Sequence, residues 1–386
     1  MRLSDEQREW LALSLVPGVG TAYFIRLLAR FRSPGAVLRA SQGALREVVG
    51  PKLAERIAQY ADVVDVEGQE RLMTEYDASL VTLNDTRYPL LLGEIYDPPL
   101  ALFVRGELKE EDETAVAIVG TRRASPYGIR MAEKLGRELG ARGVTVISGM
   151  AAGIDSAAHR GAIEGGGRTI AVLGNGVDIV YPPQNAELMD AITRNGCVVS
   201  QFPMGIKPSK GHFPYRNRII SGMTKGTIVV QAPARSGALI TANTAAEQGR
   251  EVFAVPGEVG VNNSAGPHAL IREGAKLVET VEDILLELNL PVETHAPVAQ
   301  AKPRPETPSQ HAPATSAPAK PAPAPAAKKA VGIEGDVLSV LSPNGSFVDE
   351  IAAACRVSVS EALSTLTILE LKGLIRQFSG KRFAPR

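Results

Sequence analysis

The chain has 386 residues, with Lys plus Arg at 42 and Asp plus Glu at 42, a formal net charge of zero, and 44% hydrophobic residues. Such a length and composition fit a globular protein of two or three domains, and a balanced charge means that any polyanion binding needs local segregation of cations. Cys197 and Cys355 lie far apart with no CxxC or Cys/His ligand spacing, which argues against a structural metal and a disulfide framework. The N-terminus lacks an apolar signal core, and no apolar run approaches the ~20 residues needed to span a bilayer. The expected location is the cytoplasm, with no membrane contact.

Residues 1–78 read as short amphipathic helices, with Leu11, Leu15, Phe24, Leu27, Leu28 and Phe31 at helical spacing. The turns Leu15–Gly20 and Val48–Leu53 resemble the hairpins of a SAM or helix-hairpin-helix unit, in which glycine amides at a helix start face a phosphate; plain helix–helix turns are the alternative. From 79 to 289 short apolar runs alternate with helical stretches. The expected strands are 115–119, 144–147, 170–173, 197–199, 227–230 and 252–255, with helices at 127–141 and 238–248 among the connections. Several runs are apolar on both faces, as in a parallel sheet covered by helices, so the expected fold is α/β, a Rossmann-like doubly wound sheet. Residues 290–330 are rich in Pro and Ala and read as a tether, holding ten of the chain's 27 prolines. Residues 331–386 have the order of a winged helix, with Val337, Leu338, Leu341, Ile351, Ala352, Leu363, Leu366 and Leu369 as its apolar positions and a strand pair around Gly373–Arg376 and Lys381–Phe383.

The α/β domain lacks the marks of the common enzymes of its class. Its first strand-to-helix turn, Gly120-Thr121-Arg122-Arg123-Ala124-Ser125, is not a GxGxxG; Ile179 stands where Gly174-Asn175-Gly176 would need a third glycine. No P-loop or GxSxG elbow is present. Asp155 and His159, at i and i+4 near Ser148, read as helix-bracing groups before catalytic ones. No cofactor, metal or catalytic residue is expected.

A binding surface is expected instead. No acidic residue occurs from Ala191 through Ala246, a span carrying Arg194, Lys207, Lys210, Arg216, Arg218, Lys225 and Arg235. Lys207 to Arg218 interleaves these charges with Phe213 and Tyr215 and with Asn217, and exposed rings beside cations suit unpaired bases. The turns Gly120-Thr121-Arg122, running on to Ser125, and Ser148-Gly149 follow the first two strands, where backbone amides at helix starts can meet an anion.

These motifs, Ile118–Arg122, Ser148–Asp155, Phe213–Gly222, Arg235–Ala242 and Val255-Pro256-Gly257, resemble the successive signatures of the DprA (Smf) family over residues 80–289. The resemblance implies a single-stranded-DNA-binding protein of natural transformation, one that protects incoming strands, binds duplex more weakly and loads the RecA recombinase. It implies that Arg122 clamps a phosphate, Lys210 holds the backbone and Phe213 stacks on a base. It also implies a homodimer through His268, Ile271 and Leu277, although an apolar patch there is equally compatible with buried core. Arg235 stands where lysine is frequent, with the charge kept. The alternatives are a nucleotide or nucleoside hydrolase, although Pro256-Gly257-Glu258 does not complete the loop such enzymes use, and an interaction hub built on the winged helix and tether.

Overall fold

The computed structural model describes residues 3–290 and, with interruptions, 333–385. It separates into two compact units, 1–299 and 300–386. Apart from Leu290, the expected tether lies outside the described residues, as do Leu363, Gly373 and Lys381.

The first unit begins with α1 (Asp5–Leu15), α2 (Thr21–Phe31), α3 (Pro34–Leu38), α4 (Gln42–Val49), α5 (Pro51–Ala58), α6 (Tyr60–Val63) and α7 (Val66–Glu75). Their starts are chemically marked: Ser4 and Gln7 form a reciprocal capping box, and Ser33 and Ser41 cap α3 and α4. Gly18 and Gly50 take positive φ in the two hairpins, and Arg56 donates to the Pro17 carbonyl at 3.1 Å, tying one hairpin to the other. The helices do not stand apart from the sheet. Leu11, Phe24 and Leu27 share a core with Leu80, Phe103, Met189 and Ile192, while Trp10 Nε1 donates to Leu100 O at 2.7 Å and Thr21 Oγ1 to Pro98 O at 2.8 Å.

The sheet contains β1 (Ala78–Thr82), β2 (Ala101–Gly106), β3 (Ala115–Val119), β4 (Thr145–Ser148), β5 (Thr169–Val172), β6 (Cys197–Ser200), β7 (Gly226–Val229), β8 (Glu251–Ala254) and β9 (Lys276–Leu277), with α8 (Leu90–Gly93) between β1 and β2. Its order is β1-β2-β6-β5-β4-β3-β7-β8-β9. The β1–β2 and β2–β6 pairs are antiparallel and the others parallel. The six strands expected from apolar runs are present within a residue of their expected limits. The antiparallel pair β1–β2 was not foreseen, because α8 and a long connection replace the tight turn that marks a hairpin.

Alternation within β3 sends Ala115, Ala117 and Val119 to one face, against α12 (His212–Gly222), α13 (Gly237–Glu247) and α14 (Ala265–Arg272). It sends Val116 and Ile118 to the other, against α9 (Pro126–Ala141), α10 (Ile154–Glu164) and α15 (Val281–Glu287), while α11 (Ala186–Asn195) joins the core of the N-terminal helices. Helices α9 and α10 pack closely enough that a Cβ on Gly136 would lie 2.5 Å from Ala158 O. Chain order runs from β3 through β4 and β5 to β6 on one side, then returns along α12 to place β7 on the other side of β3. The switch point of the sheet is therefore the crevice beyond the C-terminal ends of β3 and β7.

The second unit comprises α16 (Ile333–Val340), β10 (Ser346–Phe347), α17 (Val348–Cys355), helical residues at Ala362, Thr365, Leu366 and Leu369, β11 (Ile375–Phe378) and β12 (Arg382–Pro385). Val337, Leu341, Ile351, Leu366, Leu369 and Phe383 form its core, and β12 pairs antiparallel with both β10 and β11. Among the described residues no helix is long and apolar enough to cross a membrane.

Candidate nucleic-acid interface

A cavity of about 380 Å³ opens at the switch point. Its walls come from the β3–α9 turn (Gly120, Thr121, Arg122), from α12 (Phe213, Arg216, Asn217) and from the β7–α13 connection (Pro233, Arg235, Ser236, Gly237), with Asp155 at its base. His212 and Phe213 open the first turn of α12. Pro214 is compatible with that because first-turn N–H groups have no intrahelical acceptor to lose. The helix places Phe213, Arg216 and Asn217, at i, i+3 and i+4, on one face toward the cavity.

Arg122 is exposed, and its guanidinium carbon stands 5.1 Å from the Phe213 ring centroid. The half-buried Phe213 ring rests on Gly174, where a Cβ would lie 3.0 Å away, and Tyr181 approaches it at 5.9 Å between centroids. Arg122, Lys207, Lys210 and Arg235 are all exposed, and no carboxylate forms a salt bridge with any of them among the described residues. Lys207 and Lys210 lie outside the cavity on the segment leading into α12, just ahead of Phe213. Asn217 is half-buried and donates to Gly237 O at 3.4 Å, bracing the α13 side.

Several expected contact groups have other work. Ser148 is fully buried and donates its hydroxyl to Ile118 O at 2.6 Å. The Gly149 carbonyl accepts from Arg216 Nη1 at 2.7 Å, with a second acceptor at Val172 O; Arg216 is 5% exposed and forms part of the cavity floor. Burial brings its guanidinium down to about 10, with Asp155 acting the other way. Arg218 faces away from the cavity, bound to the Asp97 carbonyl and, at 2.6 Å, to Gln201 Oε1. Ser125 caps α9 and is held through both its N–H and its hydroxyl by Gln231, a residue with no obvious signal in the sequence. Thr121 is mostly buried, its N–H donates to Gln231 O at 2.7 Å, and its hydroxyl accepts the Arg123 N–H at 3.2 Å. Gly120 lies so close to Ile154 that a Cβ would come within 2.5 Å. The two turns expected to offer amides to a phosphate are thus largely self-satisfied.

The Ser148–Gly153 turn is already filled by an acidic side chain of its own chain. Met150 adopts φ +55°, which curls the chain so that the Gly149 and Ala151 N–H groups converge on the Asp155 carboxylate. Burial pushes that carboxyl above the usual range, opposed by Arg216, the two amides and Arg122. His159, one turn on, is fully buried against Thr169 Oγ1 at 2.7 Å, and burial lowers it to about 3, so it is neutral at ordinary pH. Asp155 and His159 therefore brace the interior. Glu258 is exposed and does not line the cavity. Among the described residues no cluster of three His, Cys, Asp or Glu side chains is placed to hold a metal.

His268 and Ile271 lie on α14, and Leu277 on β9 at the edge of the sheet. His268 Nε2 is 2.9 Å from Gly257 O, Ile271 is half-buried against the sheet core, and Leu277 is 42% exposed. These three residues are not uniformly buried, so the patch is partly accessible.

Comparison with known proteins gives a consistent picture. The family model described as DNA recombination-mediator protein A matches residues 79–289, and the DprA winged helix domain matches residues 317–381. Protein Smf of Synechocystis sp. is 33% identical, covering 99% of this chain and all of its own length. DNA processing protein DprA of Streptococcus pneumoniae is 47% identical over 53% of this chain and 72% of its own. The X-ray structure of the S. pneumoniae protein superposes with a TM-score of 0.65 at 36% identity, covering 74% of this chain and 99% of that one. A Helicobacter pylori DNA processing protein A, whose structure is described as giving insight into its single-stranded DNA binding mode, has a TM-score of 0.50 at 28% identity, covering 56% and 97%.

Proposed function

The chain belongs to the DNA recombination-mediator protein A (DprA, Smf) family, and from that membership we propose that its switch-point cavity binds single-stranded DNA without turning it over. The carrying observation is that exposed Arg122, in no salt bridge among the described residues, holds its guanidinium 5.1 Å from the half-buried Phe213 ring. A guanidinium not committed to a salt bridge can hold a phosphate, and the ring beside it can stack a base that a duplex would keep for itself. Lys207, Lys210 and Arg235 extend the positive rim along the backbone. Arg216 contributes through position: its buried charge supports the floor and the α12 face that presents Phe213.

Two further parts of the reading rest on the family. The bound strand is protected and handed to the RecA recombinase, and two copies associate through the Ile271–Leu277 patch, which aligns two cavities and raises apparent affinity by effective concentration. RecA hand-off is measured as the lag of RecA ATP hydrolysis on strands coated with single-strand-binding protein, which wild type shortens and Arg122→Ala does not.

The binding test is fluorescence anisotropy of a labelled oligothymidylate across a salt series. With about 3–4 phosphates neutralised per subunit, log K against log salt has a slope near −2 to −3, and Arg122→Ala or Lys210→Ala makes it shallower by about 0.7. Phe213→Ala weakens binding by about 5- to 100-fold with the slope unchanged. Identical slopes in wild type and both cation variants remove the proposed pocket.

A further inference from the structure

Helix α12 has a second face. Two residues along a helix point in nearly opposite directions, so Tyr215 and Arg218 turn away from Phe213 and Arg216. They line a separate cleft of about 220 Å³, closed on the far side by Ser14, Gly20 and Thr21 of the α1–α2 hairpin and floored by Leu100, Ala101 and Phe103. Tyr215 is 62% exposed, an unusual expense for a large ring unless something covers it. Gly20 presents no side chain and leaves the wall open: a Cβ there would meet nothing within 4 Å.

The polar groups of the cleft suit the edge of a base better than a phosphate. Arg218 and Asp97 lie 3.7 Å apart and neutralise each other. Gln201 spends its oxygen on Arg218, and among the described residues its amide nitrogen has no partner. Asp97 and Gln201 thus offer an acceptor and a donor beside an exposed phenol ring. The space is little more than half of the 380 Å³ first cavity, enough for one flat ring system.

We propose that this cleft is a second base subsite, in which a strand leaving the Arg122–Phe213 cavity crosses the N-terminal end of α12 and stacks a base on Tyr215 against the α1–α2 hairpin. The inference rests on the single-strand reading of the first cavity. Tips on opposite sides of a helix ~10–12 Å wide leave about one or two nucleotides between the two stacked bases. The hairpin thereby serves DNA through the wall it builds, and Arg218, committed to Asp97 and Gln201, acts as a positioning residue.

The test uses the full chain and two labelled oligothymidylates, one of two nucleotides, too short to reach both rings, and one of about 16, which spans both. Tyr215→Ala binds the longer strand about 5- to 100-fold more weakly and the shorter one as wild type does, while Tyr215→Phe keeps wild-type affinity for both. Phe213→Ala weakens both lengths. Wild-type binding by Tyr215→Ala at both lengths overturns the second subsite and leaves the first intact, as does an equal loss at both lengths, which would assign Tyr215 to the first cavity. Failure of the wild-type chain to bind either strand defeats the single-strand reading itself, and the subsite with it.

Discussion

Replacing Arg216 by Met removes a buried guanidinium from the floor of the cavity. The change orphans the Gly149 and Val172 carbonyls and leaves the Asp155 carboxylate buried without its nearby cation. Breaking a buried charge arrangement by removing one partner costs about 3–5 kcal/mol, far more than the ~0.5 kcal/mol or less expected for the exposed Arg122→Ala. In a unit of this size that corresponds to roughly 5–8 °C in melting temperature. The measurement is a urea or thermal melt of the full chain followed by far-UV circular dichroism, with Arg122→Ala alongside. Adding Asp155→Asn to Arg216→Met recovers part of the loss, because the stranded charge disappears, and a double-mutant cycle reads the coupling. The deficit of the single variant also shrinks as pH falls: a buried carboxyl whose folded pKa is raised is relieved by taking up a proton. If Arg216→Met melts within about 0.5 kcal/mol of wild type, the guanidinium is not structural and its assignment to the floor is wrong.

Two other outcomes follow from the geometry. His159, held neutral by burial with its pKa near 3, takes up a proton only on unfolding, so its contribution is complete above pH ~6.5 and is lost as pH falls toward 3. Between pH 7 and about 4.5 wild type therefore loses about 2–3 kcal/mol more than His159→Gln, read from urea midpoints of the two proteins at each pH; equal losses would mean that the imidazole titrates normally. If two copies associate through the proposed patch, Leu277→Arg at the exposed sheet edge lowers the mass read by light scattering from dimer to monomer; an unchanged dimer mass would move the self-association surface elsewhere.

The parallel strands are legible in the sequence because burial on both faces demands uninterrupted β-branched and alanine runs, as in Ala115–Val119. The place of the cavity is legible too, since the turn after β3 must sit at the crevice. What periodicity does not carry is which of several cations turns inward. Arg122 and Arg216 look alike in sequence, yet one is exposed and the other 5% exposed, a difference made by α12 docking against β5 and the Ser148–Gly153 turn. Helix α12 itself is hidden because Lys207–Pro214 reads as a loop and Pro214 obscures the helix start. Gln231 is silent for the same reason: its role with Ser125 exists only once β7 lies beside β3.

The turn that folds around Asp155 has a consequence for ligand choice. In many sheets of this class the cup above the early strands is left vacant, and a small diffusible phosphate compound fills it. Here a tethered acid group occupies the cup permanently, like a stopper moulded with the bottle. A compact mononucleotide loses its best anchoring point, and only a ligand long enough to draw its grip from the rim outward is rewarded. On the proposed single-strand reading, a preference for a polymer over a mononucleotide is thus built into the covalent chain.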